Sequence, residues 1–230
     1  MIQLKKACFA SAALVALTAV PSFSADIVQP KAYHPYIGLF GGLDFLPNIA
    51  ATDTFGFPPF VPILGPGSVH SKVGDFAGAV IGVDLNDNWR VEAELSRSFN
   101  GIQNFTFNNG NVNTYSSGGV NQTYALANAW YGFRNQSAFV PYLGGGLGLG
   151  WADGNLGSSA SATAPAAFAF QIGAGVTYDV SDRFSIDVGY RFKAMTGLNA
   201  RVTTSTGSSA HLDQNSIGSH NFQIGATLRF

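Results

Sequence analysis

Beyond residue 35, apolar and polar residues alternate with a period of two along much of the chain. The clearest case is the end: Phe222, Ile224, Ala226, Leu228 and Phe230 share one parity, and Asn221, Gln223, Gly225, Thr227 and Arg229 share the other. Such alternation marks a strand whose two faces meet different surroundings. Tyr36–Leu46 sets Ile37, Leu39, Leu43 and Phe45 against Tyr36, Phe40 and Asp44. Val73–Leu85 groups Ala77, Ala79, Ile81, Val83 and Leu85. Trp89–Phe99 alternates Trp89, Val91, Ala93 and Leu95 with Arg90, Glu92, Glu94 and Ser96. Tyr124–Arg134, Phe139–Trp151, Ala166–Asp179 and Arg183–Met195 follow, and Ile217–Phe230 ends the chain. The pattern predicts about eight strands, each close to the roughly 9–11 residues that cross a bilayer at a tilt.

The connections sharpen this. Those at 86–88, 135–138 and 181–182 are short; those at 47–72, 100–122, 152–165 and 196–216 are long and rich in Gly, Ser, Asn, Thr and Pro. Short turns at the periplasmic side and long loops outside are the asymmetry of outer-membrane barrels. The expected fold is therefore all-β: a transmembrane antiparallel up-and-down β-barrel of about eight strands, closed by pairing the last strand with Tyr36–Leu46. Aromatics on the apolar parity fall near strand ends (Phe45, Trp89, Phe99, Tyr131, Phe133, Trp151, Tyr178, Phe184, Phe230), as interfacial girdles require. A soluble barrel would place the apolar parity inside and predicts neither the girdles nor the loop asymmetry.

Composition agrees. Charged residues make up 11% of the 230-residue chain, against about 25% in typical soluble domains. The net charge of −1 gives no support for nucleic-acid binding. Residues 1–24 read as a signal peptide: Lys5 and Lys6, then an apolar run from Ala7 to Val20, Pro21, and small residues at Ser22 and Ser24. Cys8 lies within it, so the mature chain would carry no thiol. Residues 25–35 then form a periplasmic lead-in and 36–230 the barrel domain, located in the bacterial outer membrane after export through the periplasm.

The polar parity carries the candidate chemistry. Asp44, Arg90, Glu92, Glu94, Asp187, Arg191, Lys193 and Arg229 would face a closed lumen, where unpaired charge is costly and salt bridges are expected. An eight-stranded barrel is about wide enough to be filled by its own side chains, so a plug of ion pairs is the expected reading and a conducting pore the alternative. Gly144, Gly146, Gly148 and Gly150 share this parity; they either leave a cavity or admit a large neighbour such as Trp130. His34, His70, His211 and His220 are scattered, with no metal-ligand spacing, and no cofactor is expected. Glu92 and Glu94 lie on one strand face, as an acid–base pair could, but alternation explains them equally as partners of Arg90. Ser219 and His220 are adjacent, so their side chains point to opposite faces. No nucleophile constellation emerges, and the expectation is a non-enzyme. In the first long loop, Phe55, Phe57, Phe60, Ile63 and Leu64, stiffened by Pro, form a candidate contact patch or a lid folded on its neighbours.

At Pro141–Gly148, Gly175–Asp179, Asp187–Phe192 and the terminal strand the chain resembles porin-family outer-membrane β-barrel proteins. These are OmpA/OmpX-like surface antigens of Gram-negative bacteria, and the chain resembles the Omp25/Omp31-like group among them. The resemblance spans most of the mature chain, but its motifs specify fold and address rather than chemistry. It implies that Phe222, Ile224, Ala226, Leu228 and Phe230 serve as the assembly signal read by the barrel-assembly machinery. It also implies a surface or structural role in the envelope, in contact with outer-membrane lipid and lipopolysaccharide. The alternatives are an adhesin or ligand binder, of haem for example, acting through the long loops on an extracellular ligand, and a lipid A-modifying enzyme.

Overall fold

The computed structural model describes residues 33–51, 55–57, 60–64, 67–107, 112–114, 118–155, 160–204, 207 and 209–230. The expected signal peptide and the lead-in up to residue 32 lie outside them. Among the described residues, eight long strands form one antiparallel ring: β1 (His34–Phe45), β2 (Gly74–Asp84), β3 (Trp89–Phe107), β4 (Gly119–Gly132), β5 (Phe139–Asn155), β6 (Ala160–Asp179), β7 (Phe184–Thr204) and β8 (Ser209–Arg229). Each pairs with its neighbours in sequence, and β8 returns to β1, from Arg229 opposite Tyr36 to His220 opposite Phe45. The Phe230 N–H donates to the Pro35 carbonyl at 2.9 Å, so the last residue completes the seam.

Turn chemistry sets the periplasmic end. Asn86 Oδ1 accepts from the backbone N–H groups of Asn88 (2.9 Å) and Trp89 (2.8 Å), bending the chain between β2 and β3. Asn135 Oδ1 takes the Ser137 N–H at 2.7 Å between β4 and β5, and Ser181 Oγ takes the Phe184 N–H at 3.1 Å between β6 and β7. Asn and Ser do this because a short polar side chain can stand in for a backbone acceptor.

The apolar parity faces outward. Leu39, Ile81, Leu95, Leu147, Ile172, Val188 and Ile224 are exposed around the barrel waist, a surface that only lipid would cover without cost. Aromatic clusters flank it. Trp89–Tyr131–Phe133 and Phe139–Tyr178 lie at the turn end, with centroids 4.8 to 5.1 Å apart. Phe45–Phe222–Tyr190 lies toward the other end, at 5.3 to 5.7 Å.

Sequence alternation placed the turn-side strand ends within a residue or two but misjudged the other ends. β6, β7 and β8 run 20, 21 and 21 residues. At about 3.3 Å per residue the longest spans about 70 Å, far more than a bilayer needs. Stretches read as loops at 152–165 and 196–216 are thus largely paired strand: Arg201 opposes His211 and Asp153 opposes Thr163. Beyond the lipid both faces of a strand meet water, so nothing enforces alternation there. His34 and Pro35 likewise belong to β1 rather than to a lead-in. The long connection at 47–72 holds short strands: Ile49–Ala51 pairs with Gly67–Ser71, which also pairs with β3, and Phe55–Phe57 pairs with Phe60–Leu64.

The glycine run on β5 serves close approach. A Cβ at Gly144 would collide with the Ala129 carbonyl and meet Trp130 Cε3 at 2.7 Å; at Gly146 it would overlap Asn128 Oδ1, and at Gly150 Met195 Sδ. Bulky residues on β4 and β7 occupy the space that side chains on β5 would need.

Candidate functional site

The inward parity of all eight strands meets in the lumen, which side chains fill in layers. At the turn end, Arg229 Nε pairs with Asp84 Oδ2 at 2.9 Å, and its Nη1 reaches Asp179 Oδ1 at 3.4 Å. Arg134 holds the other Asp179 oxygen at 3.2 Å. These groups rim a cleft of about 30 Å³, with Arg90 and Tyr142 further in, room for about one or two waters.

Above the cleft, Glu92 is bound by neutral donors: Tyr36 OH at 2.8 Å, Trp130 Nε1 at 2.8 Å and Asn128 Nδ2 at 3.1 Å. Asp187 accepts from Gln223 Nε2 at 3.0 Å and Tyr142 OH at 3.2 Å. The two arginines sit on rings. Arg191 Cζ is 3.9 Å from the Trp130 ring centre and Arg90 Cζ is 4.7 Å from that of Tyr142. Trp130 and Tyr142 pack edge to face at 5.6 Å. Guanidinium planes sit well on aromatic faces, where the ring quadrupole attracts the cation without a full counter-charge.

At mid-barrel the Lys193 ammonium is hydrogen-bonded to Glu94 Oε1, and both side chains are within 2% of complete burial. Lys193 Nζ also reaches Ser96 Oγ at 2.8 Å. Glu94 receives Gln171 Nε2 at 2.7 Å, Asn128 Nδ2 at 3.0 Å and Ser96 Oγ at 2.8 Å. Further toward the outside, Asp44 accepts from Asn221 Nδ2 at 2.5 Å. Tyr124, Leu126, Ala169, Met195 and Leu198 then form an apolar layer across the lumen.

All eight charged residues singled out in sequence therefore face the interior, but salt bridges are not the general rule. Among the described residues, only Glu94–Lys193 and Arg229 with Asp84 and Asp179 are ion pairs in this set. Arg90 does not bridge Glu92 or Glu94. Neutral donors serve Glu92 and Asp187, and aromatic rings carry Arg90 and Arg191, in place of direct ion pairs. Tyr36, Asn128, Trp130, Tyr142, Gln171 and Gln223 fill this role, and charge alone did not reveal them. Their signal was parity: each occupies the inward register of its strand.

On the outer wall, Phe222, Ile224, Ala226, Leu228 and Phe230 all point away from the lumen and are exposed. His220 lies on the same wall, its Nδ1 2.6 Å from Tyr190 OH, while Ser219 is buried inside. The side chains of Phe55, Phe57, Phe60, Ile63 and Leu64 lie outside the described part; only their backbone, in the two short paired strands, is defined.

A closed ring with an apolar belt, aromatic girdles and a polar, packed interior defines a transmembrane β-barrel. The chain belongs to the family whose model is described as outer membrane protein beta-barrel domain, which matches residues 10–230. It is 27% identical over 176 residues to outer membrane protein PagN of Salmonella typhimurium, covering 68% of this chain and 74% of PagN. Among solved structures it is similar to OprG from Pseudomonas aeruginosa, at a TM-score of 0.56 and 12% identity over 85% of this chain and 96% of that one. A major outer membrane protein from Thermus thermophilus gives 0.52 and 10%, over 86% and 100%. Identities this low speak to fold alone. Family and fold together place the chain in the bacterial outer membrane.

Proposed function

We propose that this barrel is a non-conducting, non-enzymatic scaffold of the outer membrane that carries long β-hairpins beyond the cell surface. The observation that carries the reading is the filled mid-section: Lys193, Glu94, Trp130, Tyr124 and Met195 are all essentially buried inside the ring. A lumen packed this way supports rigidity rather than passage. The separation of Ser219 and His220 onto opposite faces supports the absence of a hydrolytic pair, since a nucleophile needs its base within hydrogen-bond reach. Outer-membrane lipid and lipopolysaccharide would cover the wall, and the barrel-assembly machinery would insert it through the exposed terminal strand. The test is planar-bilayer recording of the refolded barrel. No stable large conductance is expected, and a steady pore of nanosiemens scale would overturn the proposal.

A second reading is carried by the hairpins: they stand well beyond the membrane and are held in shape by strand pairing. A polar cluster near their base, Arg97 with Asp153 (2.8 Å) and Thr123 (3.1 Å), stiffens β3 against β4 and β5. Rigid hairpins can present a binding surface to an extracellular ligand. Cell-adhesion and ligand-binding assays with and without residues 47–72 separate a binder from a plain scaffold.

A further inference from the structure

The apolar wall turns polar at its outer edge, and one polar group there lacks a partner. His220 of β8 faces outward, its Nδ1 2.6 Å from Tyr190 OH. Its ring stacks on Tyr190 at 6.0 Å and packs against Phe192 at 5.3 Å. Among the described residues the Tyr190 hydroxyl has no other acceptor, so it donates to Nδ1 and the ring hydrogen falls on Nε2. Nothing described accepts from Nε2 in turn, and a donor facing hydrocarbon costs several kcal/mol. Height decides what can accept. His220 lies ten residues before Phe230 on the outward parity of β8. At about 3.4 Å per residue and a tilt of about 40°, that is about 26 Å above the inner girdle, against an apolar band about 25 Å tall. Nε2 therefore meets the headgroups of the outer leaflet.

Two charges share this edge. Lys72, just before β2, lies over Gly101, its Cδ 3.5 Å from where a Cβ of that glycine would stand. It is exposed, and among the described residues it has no ion pair. Asp75 of β2 is exposed and opposes Leu43, which in turn opposes Phe222. Arg97 adds no free charge, because Asp153 holds it. The edge thus offers an ammonium, a carboxylate and an imidazole N–H. From β2 across β1 to β8 is two strand spacings, about 10 Å, the width of one headgroup rather than several. Below and between them, Leu43, Phe45 and Phe222 present exposed apolar surface.

We propose that this edge docks one phosphorylated glycolipid of the outer leaflet, of the lipid A class. Lys72 and His220 Nε2 donate to phosphate oxygens, Asp75 accepts from a sugar hydroxyl or an amide N–H, and acyl chains lie over Leu43, Phe45 and Phe222. Asp75 selects the occupant. A carboxylate in the headgroup layer repels a simple anionic phospholipid, whereas a hydroxyl-rich, amide-linked sugar brings donors to it. The inference rests on the reading of the wall as covered by outer-membrane lipid, and it adds a preferred lipid and the residues that hold it.

The test is native mass spectrometry of the refolded barrel in detergent, titrated with doubly phosphorylated lipid A, with its dephosphorylated form and with phosphatidylglycerol. The native chain should bind one lipid A tightly and the other two lipids at least several-fold more weakly. The double variant Lys72→Gln, His220→Phe should bind lipid A about tenfold more weakly, from the loss of charge-assisted hydrogen bonds. Arg183→Gln, the same charge change at the exposed turn end, should bind like the native chain. Asp75→Asn should narrow the preference for lipid A over phosphatidylglycerol. Unchanged urea midpoints show that the variants are folded, since all these side chains lie outside the lumen. Equal binding of lipid A by the native chain and the double variant would overturn the proposal. Phosphatidylglycerol or dephosphorylated lipid A binding as tightly as lipid A would do the same. Conductance is a separate readout: a barrel without lipid preference would still be closed, and a conducting one could still hold the lipid.

Discussion

Replacing Lys193 by Met should expose how the barrel holds its central charge. The lysine is 1% exposed, bonded to Glu94 and Ser96, and its ammonium lies 5.5 to 5.7 Å from the ring centres of Phe40, Phe76 and Tyr124. Removing one partner of a buried pair typically costs about 3–5 kcal/mol, because the other charge is stranded. Here Glu94 keeps three neutral donors, from Ser96, Asn128 and Gln171. Each is a hydrogen bond to a charged acceptor, worth about 1.5 kcal/mol or more, so the loss should fall at the low end, about 3 kcal/mol. Glu94→Gln alone removes the counter-charge, leaving the ammonium with the amide oxygen, Ser96 and three rings, and should cost about 4 kcal/mol. In the double variant both charges are gone and similar volumes remain, so the loss should shrink to about 1–2 kcal/mol. The coupling energy would then be about 5 kcal/mol, measured by a double-mutant cycle. Urea unfolding of the refolded barrel, followed by tryptophan fluorescence, gives the numbers, Trp130 lying in the same network. Single variants that each lose under about 1 kcal/mol, or losses that simply add, would refute the account of the mid-barrel as a mutually dependent pair.

Glycine substitutions separate packing from backbone freedom. Gly146→Ala drives a methyl into Asn128 Oδ1 and places it 2.6 Å from the Ala127 carbonyl, so Asn128 must release Glu92 or Glu94. A loss of about 2–3 kcal/mol is expected. Gly197→Ala, at φ +70° with nothing within 4 Å, should cost only about 1 kcal/mol from the left-handed backbone; urea midpoints in the reverse order would show that Gly146 is not there for packing. Deleting Phe230 removes the N–H that bonds Pro35 and the exposed terminal ring. Cell fractionation should find the shortened chain unassembled in the periplasm, and a normal heat-modifiable band in the outer membrane would show that the terminus is dispensable.

How much of this could be read from the chain follows from where physics imposes a rule. Within the bilayer, lipid on one side and a packed polar lumen on the other force alternation, so Trp89–Phe99 and Arg183–Met195 declare both their structure and their facing. The short turns are equally legible, since Asn86, Asn135 and Ser181 supply acceptors that the backbone needs. Lumen bonding is less so. Parity tells that Glu92 and Arg90 point inward, but not that Glu92 is served by Tyr36, Asn128 and Trp130 while Arg90 rests on Tyr142. Those choices depend on stagger between strands: Glu92 opposes Asn128 across β3 and β4, yet Tyr36 is 56 positions away in sequence. Periodicity carries no record of that stagger.

The outer parts of the long strands were misread for a different reason, and that reason bears on function. Above the lipid, Arg201–Thr203 and Ser209–His211 are paired strands that no buried layer obliges to alternate, because pairing there needs only backbone hydrogen bonds. The residues on those hairpins are therefore free of the constraint that fixes the barrel wall. A scaffold whose stability comes from Glu94, Lys193, Asp44 and their neutral partners can change its hairpin surfaces without disturbing the lumen, provided the ladders persist. Exchanging residues 47–72 should thus alter any surface binding while leaving the urea midpoint nearly unchanged, whereas lumen substitutions should do the reverse. The separation follows from what acts on each part: lipid and packing dictate the barrel, and neither acts on the side chains of the hairpins.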